Sequence, residues 1–324
     1  ADRVVPFERT ERLAAPPEDE GPGAADREGR GSGGREVLFH AALAAGDNIR
    51  RRGEATRAGA PLLPAGTVLG PADLALLATH GFAAVRVHRA PRVAVLTTGD
   101  EVVPPDEAPR PGQLRDSHTD YLLAAGARLG LVVEPLGIAP DRPRALVERL
   151  GAGLAAADVL LVGGGVSAGE LDFVEGALAE LGCRALFTGV AIQPGKPLVA
   201  AVREGAREDG HKLVFGLPGN PASVLVTWRL FARPALERLL GRPASPFDRL
   251  LPGELAAPAP GTRGRDRFLP ARLEHRDGRL LVHPVAIAGS HDLAAYARGP
   301  ALLHLPAHSP PLPAGAPCRV LPEP

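Results

Sequence analysis

From Arg92 onward, short apolar runs alternate with stretches of helical period. Val93–Leu96 is apolar throughout and Asp158–Val162 apolar after its first residue, the pattern of strands covered on both faces. Leu131–Ile138 reads as another strand, interrupted by Pro135. Helices are predicted at Ser117–Leu129, Arg142–Ala156, Glu170–Leu181 and Asn220–Phe231. In the third of these, Phe173, Val174, Ala177, Leu178 and Leu181 share one face. Asn220 can cap the fourth, with Pro221 where a missing N–H costs nothing. Leu198–Val202 and Leu213–Phe215 are placed to pair across the polar connection Arg203–Lys212. Such alternation predicts a mostly parallel sheet with helices on both faces near 91–242. After Gly241 no helical pattern returns. Arg267–Leu273 and Leu280–Val285, bounded by Gly, Pro and Asp, predict a small β-rich domain. The part before Arg92 is less regular. Arg3–Phe7 and Val37–Ala45 read as strands flanking a loop rich in Pro, Gly and charge, to which composition assigns mobility. Asn48–Glu54 and Pro64–Thr67 read as turns, and Pro71–His80 as a short helix stopped by Gly81.

Length and composition narrow the classes. With 324 residues, at about 150 per domain, the chain can build at least two cores. Basic and acidic residues balance at 37 each, which argues against nucleic acid or a charged membrane surface as partner. Two cysteines cannot form a disulfide framework or a four-thiolate zinc site. No apolar run approaches the roughly 18 residues of a membrane span, and no signal-peptide pattern opens the chain. A cytoplasmic location is expected. Met is absent, so Ala1 reads as a processing or truncation point. Only Lys196 and Lys212 are lysines, so each hints at a need for a compact cation that arginine does not meet.

In an open α/β sheet, ligands gather beyond the carboxyl ends of the strands. The unusual residues fall there: Thr97–Glu101, Asp141, Gly163–Asp172, Pro194–Pro197 and Leu217–Pro221. Each alone has a local reading. Asp116–Ser117 and Asp141 suit helix caps, and Glu170 and Asp172 suit the positive end of a helix. Their coincidence on one rim points to a ligand. Gly163–Ala168 fits a dinucleotide G-x-G-x-x-A but follows a later strand than that fingerprint requires, and it lacks the G-K-[ST] of a P-loop. A nicotinamide or flavin enzyme is therefore disfavoured. Small residues there bring backbone N–H groups to a phosphate, with Ser167 as an added donor. Glu101, Asp141 and Asp172 would repel that phosphate unless a hard divalent cation such as Mg²⁺ intervened. Lys196 would offset the remaining anionic charge.

Thr98-Gly99-Asp100-Glu101, Gly164 through Asp172, Pro194-Gly195-Lys196-Pro197 and Leu217-Pro218-Gly219-Asn220-Pro221 occur together and in order. In this the chain resembles the molybdopterin molybdotransferases, and Asn48–Glu54 and Gly289–His291 extend the likeness. The resemblance implies binding of adenylylated molybdopterin, divalent-metal hydrolysis of its phosphoanhydride and insertion of molybdate into the dithiolene. It implies Glu101, Asp141 and Asp172 as metal and catalytic acids, with Lys196 beside them. Thr98, Gly99, Asp100, Asp116, Ser117, Gly163, Gly164, Gly165, Ser167 and Gly169 would bind the cofactor. Pro194, Gly195, Pro218, Gly219, Asn220, Pro221 and Ser290 would complete that pocket. The implied architecture is an α/β three-layer sandwich with a mostly parallel sheet over 91–244. A partial β-rich domain (1–47), a partial linking domain (48–90) and a C-terminal β-barrel (245–324) flank it. A homodimer with its pocket completed across the interface is implied as well. Ala55, His118, Gly189 and Gln193 stand where the family pattern has an acid, an asparagine and two lysines. Ala55, Gly189 and Gln193 motivate the alternative of an impaired paralogue serving as a molybdopterin-binding or scaffold module.

Overall fold

A computed structural model describes residue 5 and residues 10–12, 37–40, 44–165, 173–205, 210–242 and 245–323. Most of the strand expected at Arg3–Phe7, the Pro/Gly-rich loop after it, and Ser167, Gly169, Glu170 and Asp172 lie outside these residues. The chain divides into two compact units, Ala1–Ala65 with Leu69–Ala83, and Gly66–Val68 with Ala84–Pro324.

In the first unit, β1 (Thr10–Arg12) pairs antiparallel with β2 (Val37–Phe39), a shorter strand than expected. Helix α1 (Pro71–Thr79) begins with proline in its first turn, and the Asp73 carboxylate accepts the Gly70 N–H at 2.9 Å.

The second unit opens with β3 (Val93–Thr98), the short β4 (Val102–Val103) and β5 (Leu114–Arg115), and α2 (His118–Ala127). Strand β6 (Val133–Ala139), α3 (Pro143–Ala156), β7 (Val159–Gly163) and α4 (Phe173–Glu180) follow. Next come β8 (Arg184–Thr188), β9 (Ile192–Gln193), β10 (Val199–Arg203) and β11 (Lys212–Leu217). The main sheet runs β6-β3-β7-β11-β10-β8. Its first four strands are parallel, and β10 runs antiparallel to both neighbours, as the expected pairing with β11 requires. Strand β6 lies at the edge, where Pro135 removes no interior ladder bond.

Successive residues of the central strands feed opposite cores. Val93, Val95, Val159 and Leu161 pack with Leu122 of α2. Ala94, Leu96, Leu160 and Val162 pack with Leu146, Leu150 and Leu154 of α3 and with Val174 of α4. Each fully buried leucine contributes roughly 1.5–3 kcal/mol. At the amino ends of β3, β7 and β11, Asp158 binds Arg89 (2.9 Å), Arg92 (3.0 Å) and the buried Lys212 (3.5 Å). The second lysine is thus part of an ion-pair knot opposite the rim.

The helix expected at Asn220–Phe231 is longer and irregular. Helix α5 (Pro221–Thr227) passes through a π-helical turn, Trp228–Ala232, into α6 (Arg233–Leu239). Asn220 occupies the N-cap position, but its side chain makes no cap bond. A barrel follows, from β12 (Leu251–Leu255), β13 (Asp266–Arg276), β14 (Arg279–Pro284), β15 (Ala301–Leu305) and β16 (Pro317–Leu321). It closes through β14 and β13, and β9 adds to β13 as a parallel strand. Among the described residues after Gly241, one 3-10 turn (Phe247–Arg249) and one α-helix return against expectation, the latter α7 (Leu293–Arg298), capped by Asp292 through the Ala295 N–H at 3.0 Å. No described helix is long and apolar enough to cross a membrane.

Candidate functional site

Strand order reverses at β3, which lies between β6 and β7, so the carboxyl ends of β3 and β7 form the natural ligand crevice. Thr98, Gly99, Asp100 and Glu101 leave β3 there. Gly99 takes φ +144°, and a Cβ on it would fall 2.7 Å from Val102 Cγ2 and 2.9 Å from Glu101 Oε2. Only glycine fits the turn that presents the two acids. The Gly99 N–H donates to the Ala139 carbonyl at 3.2 Å, and the Asp141 N–H donates to Asp100 Oδ1 at 3.2 Å. These bonds bring Asp141 to Asp100 and Glu101.

Asp141 is not the helix cap that its sequence position suggested; Arg142 holds that place, with no side-chain cap bond. Its carboxyl pKa is raised, first by burial and then by Glu101 and Asp100. Its Oδ1 is buried without a hydrogen-bond partner, as is the Thr98 hydroxyl. That hydroxyl favours the Asp141 carboxylate without closing a hydrogen bond of normal geometry. A half-buried acid facing two others, with an orphaned oxygen, suits a divalent cation. Among the described residues, no three His, Cys, Asp or Glu side chains form a complete cation cluster. The third expected acid, Asp172, lies outside them.

The glycine turn lies against the same strand end. A Cβ on Gly164 would meet the Thr98 carbonyl oxygen at 2.6 Å, and one on Gly165 the Thr98 hydroxyl at 2.7 Å. Gly164 and Gly165 both take positive φ. Gly164 N–H donates to the Leu217 carbonyl at 3.0 Å, and a Cβ on Gly219 would lie 4.0 Å from the Gly164 Cα. Beneath Gly163 lies the buried ring of His118, whose Nδ1 has no partner. Burial lowers the His118 pKa, against the opposing pull of Asp116 and the Gly219 backbone. Asp116 is a cap in fact: Oδ1 accepts the His118 and Thr119 N–H groups at 2.8 and 3.2 Å, and Oδ2 accepts the Thr119 hydroxyl at 2.6 Å. Ser117 makes no side-chain cap bond.

Past buried Pro218 and exposed Gly219, the chain reaches a second lobe, a cavity of about 370 Å³. Pro194, Gly195, Lys196, Asn220 and Ser290 line it, together with Arg265 and Arg267. Gly195, at φ +116°, admits no Cβ, because Thr227 Cγ2 would lie 2.7 Å away. Pro221 starts α5, and the Ala222 N–H donates to the Ser290 carbonyl at 3.2 Å, joining the Asn220 turn to the barrel. Asn220 thus lines the cavity three residues past Leu217, whose carbonyl accepts from the glycine turn. Sequence reasoning missed the two arginines, although a basic residue at 265 and again at 267 is the period-two signal of a strand offering cations to one side.

Three family models match in succession: the MoeA N-terminal region (domain I and II) over residues 1–81, a probable molybdopterin binding domain over 94–238, and the MoeA C-terminal region (domain IV) over 252–322. The molybdopterin molybdenumtransferase of Nostoc sp. is 40% identical over 196 residues, covering 60% of this chain and 44% of that protein. The molybdopterin molybdenumtransferase of Bacillus subtilis is 32% identical over 261 residues, covering 81% of this chain and 59% of that protein. This chain therefore spans less than two thirds of the length of these curated relatives. Among solved structures, the molybdopterin biosynthesis MoeA protein from Pyrococcus horikoshii superposes with a TM-score of 0.71 at 29% identity, covering 98% of this chain and 71% of that one. With the motif order, the sheet, the closed barrel and three consecutive domain matches in agreement, the chain belongs to the molybdopterin molybdotransferase family.

Proposed function

We propose that the protein is a molybdopterin molybdotransferase that hydrolyses adenylylated molybdopterin and inserts molybdate into the dithiolene. The observation that carries this reading is the pairing of two unlike lobes along one rim. An acidic lobe at Thr98–Glu101 and Asp141 and a cationic cavity meet one segment: the glycine turn donates from Gly164 to the Leu217 carbonyl at 3.0 Å, and Asn220, three residues on, lines the cavity. A pterin phosphoanhydride and a molybdate ion need those two environments side by side.

Glu101 and Asp141, with Asp172, would hold Mg²⁺. When bound, Mg²⁺ supplies Lewis-acid polarisation of the phosphoanhydride and offsets its charge. The glycine turn at Gly163–Gly165, with the Gly165 N–H as donor because that of Gly164 is committed to Leu217, would bind the phosphate of the pterin together with Ser167 and Gly169. Asp141 must lose its proton to take a cation, which its raised pKa makes harder at acid pH. Water adds to phosphorus as the anhydride bond breaks, releasing AMP and leaving the pterin phosphate in place. Lys196, Arg265 and Arg267 would hold molybdate, with Ser290 as a hydroxyl donor. The arginines bear on the scaffold alternative. The lysines missing at Gly189 and Gln193 do not leave the cavity without charge, which favours turnover. A cytoplasmic homodimer belongs to the same reading.

The test is AMP release from adenylylated molybdopterin by the full chain with Mg²⁺ and molybdate, followed by chromatography. Asp141→Asn and Asp172→Ala should each cut the rate at least about 100-fold while the melting temperature stays within a few degrees. Wild-type rates in both variants would remove the acidic lobe from the reaction. Molybdopterin binding by wild type with the adenylylated form left intact would establish the scaffold alternative instead.

A further inference from the structure

Arg265, Arg267 and Leu269 all line the cavity, the two-residue period of one face of a strand. Asp266 and Phe268 take the other face of β13. There Asp266 Oδ2 lies 2.8 Å from His304 Nε2, and the Phe268 ring stacks on the same imidazole with centroids 4.9 Å apart. The acid between the two arginines therefore faces away from the cavity. Among the described residues that line it, with Lys196 and the two arginines, none is acidic.

The three cations are not equivalent. Lys196 and Arg265 are exposed, whereas Arg267 is half-buried and its Nε is buried without a partner. Strand pairing fixes what flanks it. Arg267 pairs with Leu305 of β15 on one side and with Gln193 of β9 on the other. The Asp266 N–H, donating to the Ala191 carbonyl at 3.0 Å, pins the second register. Partners in register share a face, so Arg267 stands between a fully buried leucine and a neutral amide. Water and salt screen exposed charges, and they screen a half-buried one much less. Of the three, Arg267 acts on a bound ion through the lowest effective dielectric.

We propose that Arg267 is the specificity-determining cation of this cavity, selecting a doubly charged tetrahedral oxyanion over a singly charged one of the same shape. The proposal rests on the reading of this cavity as the oxyanion site. Water holds a dianion far more strongly than a monoanion, so a cavity of neutral donors would favour the monoanion. Uncompensated positive charge reverses that order. Coulomb energy is proportional to ligand charge, so the factor that Arg267 contributes to a monoanion it contributes squared to a dianion. A cation at Gln193 would stand one strand spacing from Arg267, about 4.8 Å, on the same face.

Calorimetric titration of the full chain with molybdate and with perrhenate, a tetrahedral monoanion of closely similar size, tests it. Wild type should bind molybdate the more tightly. Arg267→Gln should weaken molybdate about tenfold and perrhenate only about threefold. Arg267→Lys keeps the charge and should keep the preference. Gln193→Lys added to Arg267→Gln should return molybdate to within about threefold of wild type, a rescue that a purely structural role does not predict. Equal weakening of the two ions by Arg267→Gln, loss of the preference in Arg267→Lys, or no recovery in the double variant would overturn the assignment. So would a wild-type preference for perrhenate. If Arg267→Gln binds as wild type while Lys196→Gln or Arg265→Gln does not, another cation selects and the cavity reading stands. If none of the three variants changes molybdate binding, the oxyanion reading of the cavity itself fails.

Discussion

Replacing Gly164 with alanine probes the close packing of the glycine turn on Thr98. The residue sits at φ +97°, where an L side chain is strained by about 1–2 kcal/mol. Its new Cβ would also lie 2.6 Å from the Thr98 carbonyl oxygen and 3.2 Å from the Thr98 hydroxyl. The first is backbone in the buried strand β3, so no flexible side chain can give way. Overpacking of that kind adds about 1–3 kcal/mol, for a total of roughly 2–5 kcal/mol. Gly130→Ala is the matched control: φ is +77°, but nothing lies within 4 Å of the added methyl, so only the conformational part of about 1–2 kcal/mol applies. Urea unfolding of both variants gives the difference, which should be at least about 1 kcal/mol and should accompany loss of molybdopterin binding in Gly164→Ala alone. Equal midpoints for the two variants would refute the close approach of the glycine turn to Thr98.

Three further outcomes follow from described contacts. Asp158→Asn leaves buried Lys212 without its carboxylate and should cost roughly 3 kcal/mol at neutral pH. Burial opposes ionisation of Asp158, but Arg92 and Arg89 outweigh it and hold the pKa well below the carboxylate range. The stabilisation is therefore full above pH about 4 and fades as pH falls further, so acid titration of stability should narrow the gap between wild type and variant. Arg229 donates to the carbonyls of Pro300, Leu321 and Pro322 at 2.6, 3.0 and 2.6 Å, and burial lowers its pKa to about 10. Arg229→Met orphans these acceptors and should cost about 3 kcal/mol or more by denaturant unfolding. His118 is buried with a lowered pKa, so the unfolded chain takes up its proton first and stability falls as pH drops below about 6.5. His118→Asn should flatten that slope between pH 5 and 7, and an unchanged slope would assign it to another group.

The sequence disclosed what repeats and concealed what is brief or distant. Strands β3 and β7 are legible because burial on both faces makes Val93–Leu96 and Val159–Val162 continuous apolar runs, and Pro135 is compatible with a strand because β6 is an edge. Helix α7 has six residues and β9 two, too few for any periodicity to register. The π turn at Trp228–Ala232 has no spacing of its own to announce it. At the site, motif order foretold the meeting of Thr98–Glu101 with Asp141 and with the Gly163–Gly165 turn. Local rules read two aspartates alike as caps, yet Asp116 caps a helix and Asp141 does not. Arg265 and Arg267 escaped because they come to the cavity from the barrel, about 70 residues after Lys196, through the β9–β13 pairing that only tertiary structure reveals.

The central claim is that a cation and an oxyanion occupy adjoining lobes of one rim. Anomalous diffraction from crystals soaked with Mn²⁺ and tungstate tests it most directly. The account predicts Mn²⁺ within about 2.3 Å of carboxylate oxygens of Glu101 and Asp141, and tungsten in the cavity of Lys196, Arg265 and Arg267. Manganese bound away from Glu101 and Asp141, or tungsten outside that cavity, would contradict it.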